Sequence, residues 1–125
     1  MRLVPGANPS ETALAEVYLV PHDNPDPKNR GFSPRGMDID RNGVAWIALA
    51  SGHMASFDRR KCKGPLNGPK ATGQHCPEGW TFYPEPLPQM KGVDTRGSAE
   101  ASYYTWVDWF NTSGFGDNTP INTGN

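Results

Sequence analysis

Two aspartates and an asparagine alternate along one short stretch of the chain. Asp38, Asp40 and Asn42 precede a glycine and fit the first half of a calcium-binding loop of the form D-x-D-x-N-G. Oxygen ligands at alternate positions, with glycine at the sharp turn, are what calcium requires. The second half of the loop does not fit, because Leu49 stands where a bidentate glutamate is needed. The alternative is a β-hairpin whose aspartates accept hydrogen bonds from backbone N–H groups.

The two cysteines, Cys62 and Cys76, lie in a loop rich in glycine, proline and lysine. Their spacing is not C-x-x-C, so neither a redox motif nor half of a standard zinc site is indicated. His75 adjoins Cys76, but adjacent residues rarely bind one ion together. We favour a disulfide that closes this loop, which would require an oxidising compartment such as a periplasm. Two free buried thiols in a cytosolic protein are the alternative.

The composition and net charge of the chain limit which classes of binding partner we expect. The chain of 125 residues has 14 glycines, 13 prolines, 35% hydrophobic residues and a net charge of −1, which is typical of a loop-rich protein with a thin core. The charge gives no reason to expect nucleic acid as a partner, and the basic residues of segment 59–63 are expected to be a solvated loop. No segment is apolar and long enough to span a bilayer, and the N-terminus lacks the apolar core of a signal peptide.

Several short strands must position these residues. Alternating or continuous apolar residues, bounded by turn-forming residues, predict strands over residues 15–20, 37–40, 44–50, 54–58, 80–83 and 101–110. Connecting loops are predicted over 21–33, 59–79 and 84–98, and the end of the chain is rich in turns. A helix beginning near Ser98 is the competing prediction for 101–110. The aromatic residues of the last two strands favour an inter-sheet core over a surface that binds sugars or polyphenols.

The three central strands carry a recognisable pattern. Pro34, Gly36, Asp40, Gly43 and Trp46 stand in the order of the pattern P-x-G-hydrophobic-D-x-x-G-x-hydrophobic-W, with two more residues between Gly36 and Asp40 than the pattern has, and the segment resembles one blade of the β-propellers of the NHL-repeat and streptogramin-lyase-like group. The resemblance covers about one blade. It implies an all-β, loop-rich fold with one antiparallel four-stranded blade over about 34–84 and partial neighbouring blades within 15–125. Residues 1–14 are expected to be a linker or disordered.

A single blade cannot close a propeller, which needs at least about four. The resemblance therefore implies a fragment of a longer protein, whose remaining blades are its partners, or association with further copies of the chain. A small-molecule ligand is a further possible partner. The first functional hypothesis is a non-catalytic binding or scaffold module, extracytoplasmic if the disulfide forms. The second is part of a metal-dependent enzyme similar to the streptogramin lyases, with a divalent cation as cofactor in the complete protein.

His53 is the catalytic candidate that the enzyme hypothesis offers. In the lyases of this group a histidine acts as a general base beside a magnesium ion, and a neutral imidazole suits that task. His53 follows a turn and would face the funnel of a propeller. The alternative is an ordinary turn histidine, because no partner base or set of metal ligands is visible near it in the sequence.

Overall fold

Strands dominate the architecture of this chain. The structure is a computed structural model that describes residues 1–26, 29–86, 91–92 and 102–123. Its described residues contain eight strands and one α-helical turn in the order β1 (Arg2–Val4), α1 (Pro9–Thr12), β2 (Leu14–Glu16), β3 (Pro34–Ile39), β4 (Ala45–Leu49), β5 (His53–Phe57), β6 (Trp80–Pro84), β7 (Thr105–Asp108) and β8 (Thr119–Asn122). The all-β, loop-rich class expected from the sequence is confirmed. None of the helical segments in the described ranges has the length and apolarity that a bilayer span requires.

Four consecutive strands form one antiparallel meander, in the spatial order β3-β4-β5-β6, which we call the central sheet. Met37 and Ile39 lie opposite Ile47 and Ala45, so these four side chains share one face. We call this the groove face. The pairings of β4 with β5 and of β5 with β6 continue this face through Phe57 and the aromatic residues of β6. The central sheet thus presents one continuous apolar surface from its first strand to its last.

The hydrophobic core lies on the groove face. Its buried members are Ile47, Leu49, Ala55, Phe57 and Cys76. Tyr18 and Val20, which follow β2, pack against this cluster together with Trp80 and Phe82 of β6. The pair β1-β2, which we call the N-terminal strand pair, is therefore joined to the groove face by the segment that follows it.

The opposite face of the central sheet contacts the pair β7-β8, which we call the C-terminal strand pair. The Asp38 side chain, which alternates with Met37 and Ile39, accepts a hydrogen bond from the Val107 N–H at 2.9 Å. Val107 itself is 3% exposed. Gly36 donates its N–H to the Tyr103 carbonyl at 2.8 Å, where the register of β3 shifts against β4. The C-terminal strand pair therefore lies over β3, whereas the N-terminal segment lies over β5 and β6.

Several predicted boundaries need correction. Residues 1–14, expected to be a linker or disordered, contain β1 and α1, because β1 pairs with β2 in a register that joins Arg2 to Glu16. The strands predicted over 15–20 and 101–110 are shorter, at Leu14–Glu16 and Thr105–Asp108. β8 forms within the turn-rich end, where Pro120 lies opposite Val107. Most of the predicted loop 84–98, and the helix start near Ser98, lie outside the described residues.

The Cys62–Cys76 disulfide is present, as the sequence predicts. It links the 3₁₀ turn Arg59–Lys61, which follows β5, to the 3₁₀ turn Pro77–Gly79, which precedes β6. Cys76 is buried in the core, so the bond anchors both ends of a polar loop to the groove face. The disulfide predicted to close this loop thus links the end of β5 to the start of β6.

Replacing both cysteines in Cys62→Ala/Cys76→Ala is expected to lower the free energy of unfolding by about 3 kcal/mol, because the open loop gains entropy in the unfolded chain. Denaturation in guanidinium chloride, followed by tryptophan fluorescence, measures this difference. Equal unfolding midpoints for the variant and the parent protein would show that the disulfide does not constrain the fold.

Gly36 is required by a close approach of two backbones. A Cβ atom at this position would lie 2.7 Å from both the Tyr103 carbonyl oxygen and the Tyr104 Cα. Gly36→Ala is therefore expected to cost roughly 1–3 kcal/mol of stability, because backbone must shift to admit the methyl group. Gly64→Ala is the matched control, since its Cβ would meet only the His75 carbonyl at an ordinary 3.6 Å. Similar urea midpoints for both variants would contradict this account of the packing.

Candidate functional site

Asp40 organises the turn between β3 and β4. Its Oδ1 accepts hydrogen bonds from the backbone N–H groups of Asn42 and Val44, at 2.8 and 2.9 Å, and its Oδ2 accepts one from the Trp46 indole at 3.1 Å. Gly43 has a φ of 78°, as this tight turn demands. The residues that match the blade pattern therefore act together as a hairpin with a capped turn.

Both carboxylate oxygens of Asp38 also accept hydrogen bonds from backbone N–H groups. One carboxylate oxygen accepts the Ile39 N–H at 2.8 Å and the other accepts the Val107 N–H. All four carboxylate oxygens of Asp38 and Asp40 thus already accept N–H hydrogen bonds. In the part of the chain that the structure describes, no three histidine, cysteine, aspartate or glutamate residues form a group that could hold a metal ion. The calcium site stays a prediction, and the geometry favours the hairpin interpretation.

His53 is fully buried at the start of β5. Its Nδ1 lies 3.0 Å from the Ser51 hydroxyl, and its ring contacts Phe82 edge-on at 5.9 Å. Nε2 has no hydrogen-bond partner among the described residues. Burial lowers the pKa of His53, so the ring stays neutral near pH 7. A neutral imidazole suits a general base, but this one has no access to solvent or to a substrate in the chain as it stands.

An open apolar groove of about 1020 Å³ lies on the central sheet. Its floor is the groove face, and its walls are the N-terminal strand pair and the segments that precede β3. Met37 and Ile39 line it and are 54% and 46% exposed. The sequence predicts the alternation of these two side chains but not that their apolar side is left uncovered. Half-exposed apolar side chains on a sheet floor mark a surface that is suited to packing.

A buried carboxylate fixes one end of this groove. Glu16 of β2 is 2% exposed and receives two hydrogen bonds from the Arg59 guanidinium, at 2.6 and 2.7 Å. The Tyr18 hydroxyl donates a third at 2.8 Å, and Arg2 approaches to 3.3 Å. The hydrogen bonds from Arg59 are the main reason that the pKa of Glu16 is lowered to about 2. This network joins the N-terminal strand pair to the end of β5.

Glu16 carries no sequence signal, because a lone glutamate in a short strand is ordinarily exposed. Arg59 belongs to the basic segment for which the sequence predicts only a solvated loop. The structure assigns it a fixed partner instead. The neighbouring Arg60 pairs with Asp58 at 2.8 Å and remains near the surface. Of this segment, Arg59 is therefore the side chain that determines how the groove wall is held.

The second apolar surface lies on the C-terminal strand pair. Val107 and Thr105 face the central sheet and are buried, so Trp106 between them points away from it and is 47% exposed. Tyr104 is 71% exposed, and Phe110 and Phe115 in the following turn are more exposed still. Every aromatic side chain of this segment is at least 40% exposed, so the inter-sheet core expected from the sequence does not include them. Trp80 and Phe82 of β6 pack against the core instead.

The turn that follows β7 has its own capped aspartate. Asp108 is buried and accepts hydrogen bonds from the Ser113 hydroxyl and N–H, both at 2.6 Å, and from the Thr112 N–H at 2.9 Å. These hydrogen bonds, led by the one from the Ser113 hydroxyl, hold the pKa of Asp108 well below its usual range. A buried aspartate that caps the turn at the end of a strand therefore occurs twice, at Asp40 and at Asp108.

Comparison with known proteins gives no match: no protein-family model, no curated protein and no solved structure is similar to the chain.

The Glu16 network predicts a specific loss of stability in acid. Because the folded-state pKa is below the unfolded value, the unfolded chain takes up the proton first, and stability falls as the pH drops from about 4.5 toward about 2. Glu16→Gln should be less stable than the parent at pH 7 and should lose this part of the pH dependence. Thermal unfolding between pH 2 and 7 measures both effects. Glu11→Gln, an exposed glutamate, is the control, and identical pH profiles for Glu16→Gln and the parent would contradict the assignment.

Proposed function

We propose that this chain is a non-catalytic scaffold module of a β-propeller, in which the central sheet is one blade. The observation that carries the proposal is that the segment following β2 packs on one face of the central sheet and the C-terminal strand pair on the other, while apolar surface on the groove face stays uncovered. A propeller blade is a four-stranded antiparallel meander packed face to face with its neighbours. The order β3-β4-β5-β6 supports the assignment of the central sheet to such a blade.

The positions of the two strand pairs agree with the proposal. The C-terminal pair follows β6 in the chain and lies over β3, where the first strands of a following blade would lie. The N-terminal pair precedes β3, and Tyr18 in the segment that follows it lies 4.6 Å from Phe57 of β5, where the last strands of a preceding blade would lie. In this proposal each pair is half of a neighbouring blade.

The groove is then the docking surface for the missing half of the preceding blade. Met37 and Ile39 lie on the first strand of the central sheet, the part that the N-terminal pair does not cover. Covering them would remove apolar surface from water, at about 25 cal/mol for each Å². The function is thus to bind β-strands through the groove face and to hold neighbouring blades in position.

The burial of His53 favours this scaffold function over the metal-dependent enzyme. A catalytic base must come within hydrogen-bond reach of its substrate. His53 instead anchors a loop, because the Ser51 hydroxyl that it contacts also accepts the Phe32 N–H at 3.3 Å. The disulfide is compatible with an extracellular or periplasmic location, which we propose for this module.

A thiol placed in the groove tests whether this surface is covered in the native protein. Both natural cysteines form the disulfide, so Met37→Cys adds a single free thiol. We expect it to react with a thiol reagent much more slowly than the thiol of Val17→Cys. Val17 is a fair control because it is 44% exposed and does not line the groove. Equal reaction rates for the two thiols would show that nothing docks in the groove and would refute the scaffold proposal.

A further inference from the structure

We propose that the partner of the groove is a second copy of this chain, and that the C-terminal strand pair of one copy and the N-terminal strand pair of the next together form one blade. The inference rests on the proposed function, since it names the strands that dock. The completed blade would have the spatial order β7-β8 from one copy followed by β1-β2 from the next. It would thus be a four-stranded antiparallel meander like the central sheet.

The strand edges permit this pairing. In the described chain β8 pairs only with β7, and β1 pairs only with β2, so each has one free edge. The Val107 N–H is directed at Asp38 and not at β8, which makes Val107 and Pro120 a pair without mutual hydrogen bonds. The outward groups of β8 are therefore the carbonyls of Pro120 and Asn122 and the N–H of Asn122. Pro120 has no N–H to donate, but these three groups are free to form hydrogen bonds with β1.

The apolar surfaces are complementary in position. When β7-β8 of one copy enters the preceding-blade position of the next, its outward side chains Trp106 and Tyr104 meet the half-exposed Met37 and Ile39. The same movement brings β1-β2 of that next copy beside β8. We call the outward side of the C-terminal strand pair, with Tyr104 and Trp106, the aromatic face. One arrangement thus covers both the aromatic face and the groove, the two large apolar surfaces described above.

The charges do not oppose this docking. The groove lining includes three arginines, Arg2, Arg35 and Arg59, and no acidic residue. Arg2 and Arg59 already pair with Glu16, so most of this positive charge is balanced within the chain. Segment 102–123, which would enter the groove, contains Asp108, which is capped within its own turn, and Asp117, and neither lysine nor arginine. Docking therefore brings no like charges together.

The geometry also sets the symmetry. The groove and the aromatic face lie on opposite sides of the central sheet, so the contact joins unlike surfaces and proceeds head to tail. Such contacts close into rings when the rotation permits. Each copy supplies one complete blade and one half of each of two shared blades, so each copy adds two blades to the ring. Because propellers have about 4–8 blades, the ring should contain two, three or four copies.

Sedimentation equilibrium of the purified chain measures the assembly directly. The expected mass is two, three or four times the 13.7 kDa of one copy. Met37→Asp damages only the groove and Trp106→Asp damages only the aromatic face, so each variant should associate at least about 30-fold more weakly, as expected for a central interface residue. Asn67→Asp adds the same charge to the exposed disulfide loop and should assemble like the parent.

Mixing the two damaged variants gives the decisive result. Met37→Asp retains its aromatic face and Trp106→Asp retains its groove, so an equimolar mixture should form one-to-one heterodimers that grow no further. A mixture that stays monomeric, a parent chain that is a monomer, or Met37→Asp copies that assemble normally would each overturn the proposal. A parent chain that is a monomer when purified, but whose thiol at position 37 is protected before purification, would overturn this proposal and leave the scaffold function standing with another polypeptide as partner.

Discussion

Both faces of the central sheet must be covered, and the rest of the structure follows from that requirement. β4 and β5 carry buried side chains on both sides, with Leu49 and Ala55 on the groove face and Ala48 and Ser56 on the other. A sheet buried on both faces cannot be stable as a single layer in water. The segment that follows β2 and the C-terminal strand pair supply the covering layers, and apolar surface remains exposed where they stop.

Polar groups determine where each covering layer sits. On one side, Glu16 and Arg59 form a bidentate pair that fixes β2 relative to the end of β5. On the other, Asp38 accepts an N–H from β7. Apolar contact alone is non-directional, so the layers could slide over the sheet without these bonds. The carboxylates that first suggest a metal site thus act as positioning groups for strands.

The sequence predicts the central sheet well because its signals are local. Alternation at Met37 and Ile39, a turn at Gly43 and an apolar run after it are each visible without knowledge of the fold. The disulfide is predicted from two cysteines in a polar loop. These features are confirmed because local turn chemistry and tertiary packing favour the same structure.

The covering strands are predicted poorly, for physical reasons. β1 has three residues and is stabilised by its pairing with β2, so residues 1–14 resemble a linker by composition. β8 contains Pro120, which argues against a strand unless the N–H is not needed. The burial of Glu16 depends on Arg59, 43 positions later. Long-range pairs of this kind leave no periodic pattern in the sequence.

Contact between strands of different copies is the central claim, and an isotope-mixed NMR sample tests it most directly. One half of the chains would be labelled with ¹⁵N and ²H, and the other half would be unlabelled. The account predicts intermolecular nuclear Overhauser effects that connect labelled amides of β8 (Thr119–Asn122) with protons of unlabelled β1 (Arg2–Val4). A spectrum of the assembled protein in which these strands show no contact between copies would contradict it.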